Sequence, residues 1–138
     1  MTRTIAPILA LAAACLAALA PPVSAQGTPG LTRTVVTRGD VSVPGREAIV
    51  ARVEVAPGAT AAWHTHPGDE ISYVMEGEAV LLVAGQPPRK VAAGESFIVP
   101  AGTVHSARND GAVPTKLVGV YVVDKGVPMA SPASAPAH

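Results

Sequence analysis

Glycine and proline punctuate this chain too often for a long helix to form. Between Glu47 and Val123 they interrupt every candidate amphipathic stretch. In a helix interior each glycine costs about 1 kcal/mol and each proline about 3. The segments left between them are short and rich in β-branched residues. EAIVARVEV (Glu47 to Val55) is stopped by Pro57-Gly58, and EISYVME (Glu70 to Glu76) is followed at Gly77 by EAVLLVA (Glu78 to Ala84). SFIVP (Ser96 to Pro100), TVHSARN (Thr103 to Asn109) and TKLVGVYVV (Thr115 to Val123) complete the series. QPPRK reads as a loop, and Gly77 predicts a tight hairpin between its flanking strands. Strands separated by turn signals every 8 to 12 residues or so predict an all-β, single-domain, antiparallel sandwich or barrel.

A closed sheet gives its strands an inner and an outer face, and side chains alternate between them. His64 and His66 are two residues apart, so both face the same way, with Trp63 and Thr65 opposite. Glu70 follows the PGD turn at the start of the next strand, and His105 lies on a strand entered through Pro100-Ala101-Gly102. Imidazoles and a carboxylate are costly to bury unless something pairs them. Three imidazoles and one carboxylate on three strands of a rigid barrel form a ligand set for a divalent transition metal. The remaining histidine, His138, belongs to the C-terminal tail.

These residues carry a family resemblance. GATAAWHTHPGDEISYVMEG, from Gly58 to Gly77, is similar to the first signature of the cupin superfamily: Gly, five residues, His-x-His, three residues, Glu, six residues, Gly. GESFIVPAGTVHSARN, from Gly94 to Asn109, resembles the second: Gly, five residues, Pro-x-Gly, two residues, His, three residues, Asn. Every fixed position is matched, and 16 residues separate the two. The resemblance implies a double-stranded β-helix, the cupin jelly-roll barrel. It also implies that His64, His66, Glu70 and His105 bind one divalent metal: iron, manganese, copper, nickel, cobalt or zinc. Gly58, Gly77, Gly94 and Gly102 are expected to serve backbone geometry, and Asn109 to cap a turn or bond to backbone. Asp69 is expected to point away from the metal.

Catalytic groups beyond the ligands are few. On Glu47–Val55, Ile49, Ala51, Val53 and Val55 share one face, and Ala48, Val50, Arg52 and Glu54 the other. Were the second face inward, Arg52 would bind a substrate carboxylate or enolate and Glu54 would act as base; the alternative is a solvated surface pair. Ser72 and Val74 follow Glu70 inward. Ile71, Tyr73 and Met75 form an outer apolar stripe suited to sheet packing or a homodimer.

Ten basic and ten acidic residues without a basic cluster make nucleic acid or an anionic membrane a poor partner and a small molecule the expected one. Met1 to Ala25 reads as a secretory signal: Arg3, then IAPILALAAACLAALA, then PPVSA, with cleavage expected after Ala25. An uncleaved anchor or lipidation at Cys15 are the alternatives, the latter weakened by Ala12 where a leucine is usual. Cleavage removes the only cysteine, leaving no thiolate for catalysis. Arg3 has no twin, so export of an unfolded chain and metal acquisition outside the cytoplasm, in the periplasm, are expected. Residues 26–33 are expected to be a flexible lead, 34–125 the cupin domain and 126–138 a disordered tail. Two function classes follow. One is a metal-dependent, dioxygenase-like enzyme resembling quercetinases, acting on a small oxygen-chelating substrate. The other is a binding or sensing module without turnover, or a non-redox isomerase or lyase.

Overall fold

The computed structural model describes residues 28–137. Ten strands and no helix make up the described residues. In chain order they are β1 (Leu31–Asp40), β2 (Arg46–Val55), β3 (His64–Thr65), β4 (Gly68–Glu76) and β5 (Glu78–Val83), then β6 (Arg89–Ala92), β7 (Ser96–Val99), β8 (His105–Arg108), β9 (Thr115–Asp124) and β10 (Ser131–Pro132). They form two five-stranded sheets, ordered β1-β2-β9-β4-β7 and β10-β3-β8-β5-β6. Every pairing is antiparallel. This is the all-β antiparallel architecture that the strand pattern predicts, in the jelly-roll form that the family resemblance implies.

The inward face of each strand fills the space between the sheets. β9 alternates strictly, with Thr115, Leu117, Gly119, Tyr121 and Val123 buried and the residues between them more exposed. Val53, Val55, Val74, Leu81, Val91, Phe97, Val99 and Leu117 form the main core at one end of the barrel. Ile49, Ala51, Tyr121 and Val123 form a second cluster. Removing a side chain such as Leu117 costs about 3–5 kcal/mol, because the sheets cannot collapse into the void.

Gly77 does not close a hairpin. β4 pairs with β9 and β7, while β5 pairs with β8 and β6, so the chain crosses from one sheet to the other at this residue. Its φ is 75°, and a Cβ there would meet the Pro114 carbonyl oxygen at 2.7 Å. Only glycine fits. Gly58, Gly94 and Gly102 also take positive φ, as the motifs imply. Residues Arg89 and Lys90, expected in a loop, open β6.

Both ends of the folded body extend beyond the sequence-based bounds. β1 begins at Leu31 rather than Thr34, pairing Leu31 with Val55 and Arg33 with Val53. At the other end, Ser131–Pro132 pairs with Thr65 and His64, and the Ala133 amide donates to the Trp63 carbonyl at 2.9 Å. Backbone hydrogen bonds hold this segment, so its Pro-Ala-Ser composition does not prevent its placement. The signal segment, Cys15 and His138 lie outside the described residues.

Candidate metal centre

Three short stretches bring the site together. His64 opens β3 and pairs in register with His105, which opens β8. His66 lies just past β3, and Glu70 sits inward on β4 opposite Val99 and Tyr121. His66, Glu70 and His105 are buried, and His64 is half-buried. One ligand atom from each of the four lies within 4.8 Å of all the others. The structure therefore unites the four residues that the motifs single out.

The imidazoles are oriented by the same device. His64 Nδ1 donates to the Ala62 carbonyl at 2.7 Å, His66 Nδ1 to Met129 at 2.6 Å and His105 Nδ1 to Thr103 at 2.9 Å. With the proton on Nδ1, each neutral ring turns the lone pair of Nε2 toward the others. Glu70 Oε2 lies 3.0 Å from His66 Nε2 and 3.1 Å from His105 Nε2, while Oε1 accepts from Ser72 Oγ at 2.7 Å. Despite its closeness to the carboxylate, His66 Nε2 makes no hydrogen bond. A buried nitrogen lone pair facing a carboxylate oxygen is repulsive until a cation sits between them. The donor set therefore fits a divalent transition ion, which would take three nitrogens and one oxygen. Backbone carbonyls behind the imidazoles are the usual outer partners of such ligands.

The surroundings shift the protonation of this cluster. Burial, then the neighbouring His105, His66 and Arg33 charges, lowers His64 to about 4, against the opposing pull of the Ala62 carbonyl. Burial alone would raise Glu70, but hydrogen bonds from His105 and His66 when their Nε2 atoms carry a proton, together with the one from Ser72, outweigh it and hold the carboxyl below its usual range. Glu70 stays an anion and His64 stays neutral at pH 7, as metal binding requires.

Two side chains at the site escape the sequence reading. Tyr121, 1% exposed, stands with its ring centre 4.8 Å from that of His66. Burial, with the Glu70 charge, pushes its hydroxyl up to about 12, opposed by Arg33. Gly119 makes room for it, since a Cβ there would lie 2.7 Å from the phenolic oxygen. Arg33, in the segment expected to be flexible, has its guanidinium carbon 5.6 Å from the centre of that ring. The alternation of β9 could have revealed Tyr121, whereas Arg33 has no local signal. Both line a cavity of about 40 Å³ with His64, Glu70 and His105.

Arg52 and Glu54 are not part of the site. β2 turns Ile49, Ala51, Val53 and Val55 inward, leaving Arg52 and Glu54 exposed on the outer face beside Thr34 and Lys116. The surface alternative is the one the fold adopts. Asp69 also points away, accepting from the Ala101 amide at 3.1 Å. Asn109 is structural: its amide donates to the Val55 and Val113 carbonyls, and its oxygen accepts from Gly111.

Fold and site together define a cupin, and the chain belongs to that family: the Cupin domain family model matches residues 51–123. Among curated relatives, Nectarin-1 of Nicotiana langsdorffii x Nicotiana sanderae is 36% identical over 110 residues, covering 67% of this chain and 46% of the relative. The chain thus spans less than half of that relative's length. Among solved structures, oxalate oxidase in complex with the substrate analogue glycolate superposes with a TM-score of 0.57 at 32% identity, covering 68% of this chain and 52% of the other. A conserved protein with a double-stranded β-helix domain from Klebsiella pneumoniae gives a TM-score of 0.64 at 24% identity, over 80% of this chain and 90% of the other, and shows the shared fold.

Proposed function

We propose that this chain is an exported, metal-dependent cupin enzyme, an oxidoreductase of dioxygenase type acting on a small substrate that chelates through oxygen. One observation carries the reading: three imidazoles are locked by backbone carbonyls with Nε2 inward beside the buried Glu70 carboxylate, and the buried Nε2 of His66 has no hydrogen-bond partner. In this reading His64, His66, Glu70 and His105 hold one ion of iron, manganese, copper, nickel, cobalt or zinc. Bound there, the ion would hold and polarise oxygen atoms of the substrate. Ser72 fixes the Glu70 carboxylate, and Tyr121 offers a protonated hydroxyl beside His66. Val53, Val55, Phe97 and Leu117 give the cavity an apolar wall. The similarity to an oxalate oxidase that holds glycolate supports a small oxygen ligand.

A binding or sensing module is the second reading. It is favoured by the small cavity, whose described lining has only Arg33 and Tyr121 as polar groups besides the ligands. Export is supported by the sequence of Met1 to Ala25. Among the described residues no helix is long and apolar enough to cross a membrane. Pairing of two copies is supported by the exposed Ile71, Tyr73, Met75 and Ile98 on the outer face of β4 and β7.

The first test is metal analysis of the mature protein purified without chelators from its export compartment, beside His105→Ala. The wild type should hold about one equivalent of a redox-capable ion and the variant at least tenfold less, with oxygen uptake following the metal. Zinc would point to isomerase, lyase or binding roles, and retention of a ligand without product to the binding module. A wild type that holds no metal after reloading overturns the reading.

A further inference from the structure

Three arginines elsewhere in the fold find acidic partners, and Arg89 donates to the Ser96 carbonyl at 3.1 Å. Arg38 pairs with Glu47 at 3.2 Å, Arg46 with Asp124 at 3.2 Å and Arg108 with Asp110 at 2.9 Å. Arg33, five residues before Arg38 on the same strand, has a buried Nε with no hydrogen-bond partner. It turns inward with Leu31 while Thr32 and Thr34 face out, and it lines the cavity of His64, Glu70 and His105. A charged N–H withdrawn from water without an acceptor is costly unless a ligand supplies that acceptor.

We propose that Arg33 receives the carboxylate of the substrate, so that this site selects a small oxygen-chelating acid over a neutral phenol or diketone. The inference rests on the metal-dependent reading above and narrows it to a substrate class. A guanidinium presents its donors in a planar fork that matches a carboxylate. Tyr121 supports that fork from below, with the guanidinium carbon 5.6 Å from its ring centre. Charge favours the same class. Glu70 is the one carboxylate lining the cavity among its described residues. A divalent ion, Glu70 and Arg33 together leave a net positive charge within apolar walls, which an anion neutralises. Size restricts it further: a cavity of about 40 Å³ accommodates an acid of a few heavy atoms.

The test uses the mature protein loaded with zinc, so that binding is read without redox turnover, and compares glycolate with its neutral counterpart glycolamide by calorimetry. The wild type should bind glycolate at least about tenfold more tightly than glycolamide. Arg33→Gln should lose that preference, with glycolamide affinity within about twofold of wild type and zinc content unchanged, and Arg33→Lys should restore part of it. Equal affinity for acid and amide in the wild type, undiminished glycolate binding by Arg33→Gln, or no binding of glycolate to the zinc-loaded wild type would each overturn the role of Arg33. In those outcomes zinc is still held, and the metal reading stands. A wild type that cannot hold zinc overturns both.

Discussion

At the scale of single residues, the site is a problem of proton placement. Each imidazole commits Nδ1 to a carbonyl, and the three Nε2 lone pairs then converge on Glu70. Metal-free protein must tolerate that convergence, and acid adds the cost of charging the half-buried His64. His64 is lowered to about 4 in the fold, against 6.5 ordinarily. As pH falls from 6.5 toward 4, the unfolded chain takes up this proton before the folded one, so stability declines across that window. Chelated protein is therefore expected to melt at a lower temperature at pH 5 than at pH 7, and His64→Gln should reduce the difference. A melting temperature independent of pH in both proteins would contradict the burial of a neutral His64.

At the scale of elements, the two shortest strands have the largest part in shaping the site. β3 has two residues and β10 two, yet their pairing brings Met129 behind His66, 63 residues away in sequence. Partners of this kind are worth about 10- to 100-fold in metal affinity. Truncation after Lys125 removes both the carbonyl and β10 while leaving the ten-residue strand β9 complete. The truncated protein is expected to fold and to bind metal about 10- to 100-fold more weakly, measured by competition with a chromophoric chelator. Unchanged affinity would show that the tail is not part of the site's support. Gly77 teaches a related lesson. EISYVME-G-EAVLLVA has the local signature of a hairpin, but each strand finds its partners elsewhere because the barrel needs the chain to change sheets there.

At the scale of the whole molecule, the barrel encloses its polar groups and leaves an apolar stripe outside. Ile71 pairs with Ile98 across β4 and β7, and these residues are 42% and 67% exposed. Exposed apolar area of this kind is a common mark of association between copies. The protein is expected to behave as a homodimer in light scattering, and Ile98→Lys should shift it toward the monomer with its metal content intact. A wild type that is monomeric at high concentration would assign the stripe to something other than self-association.

The sequence alone determined the fold class, because glycine, proline and two-residue alternation are local features, and it determined the four metal-binding candidates, because their spacing fixes faces and turns. It also anticipated Asn109 as a backbone-bonding residue, Asp69 as a carboxylate pointing away from the site, and Ser72 as a residue of the inner wall. Tertiary structure decided the rest. Which face of β2 turns inward depends on β1 and β9, and that choice put Arg52 and Glu54 in solvent. Arg33 reaches the cavity only because β1 pairs with β2 from Leu31 onward, and Met129 reaches His66 only because β10 closes on β3. Contacts between distant segments leave no pattern in either segment, since a backbone carbonyl or a lone arginine looks the same whatever it meets.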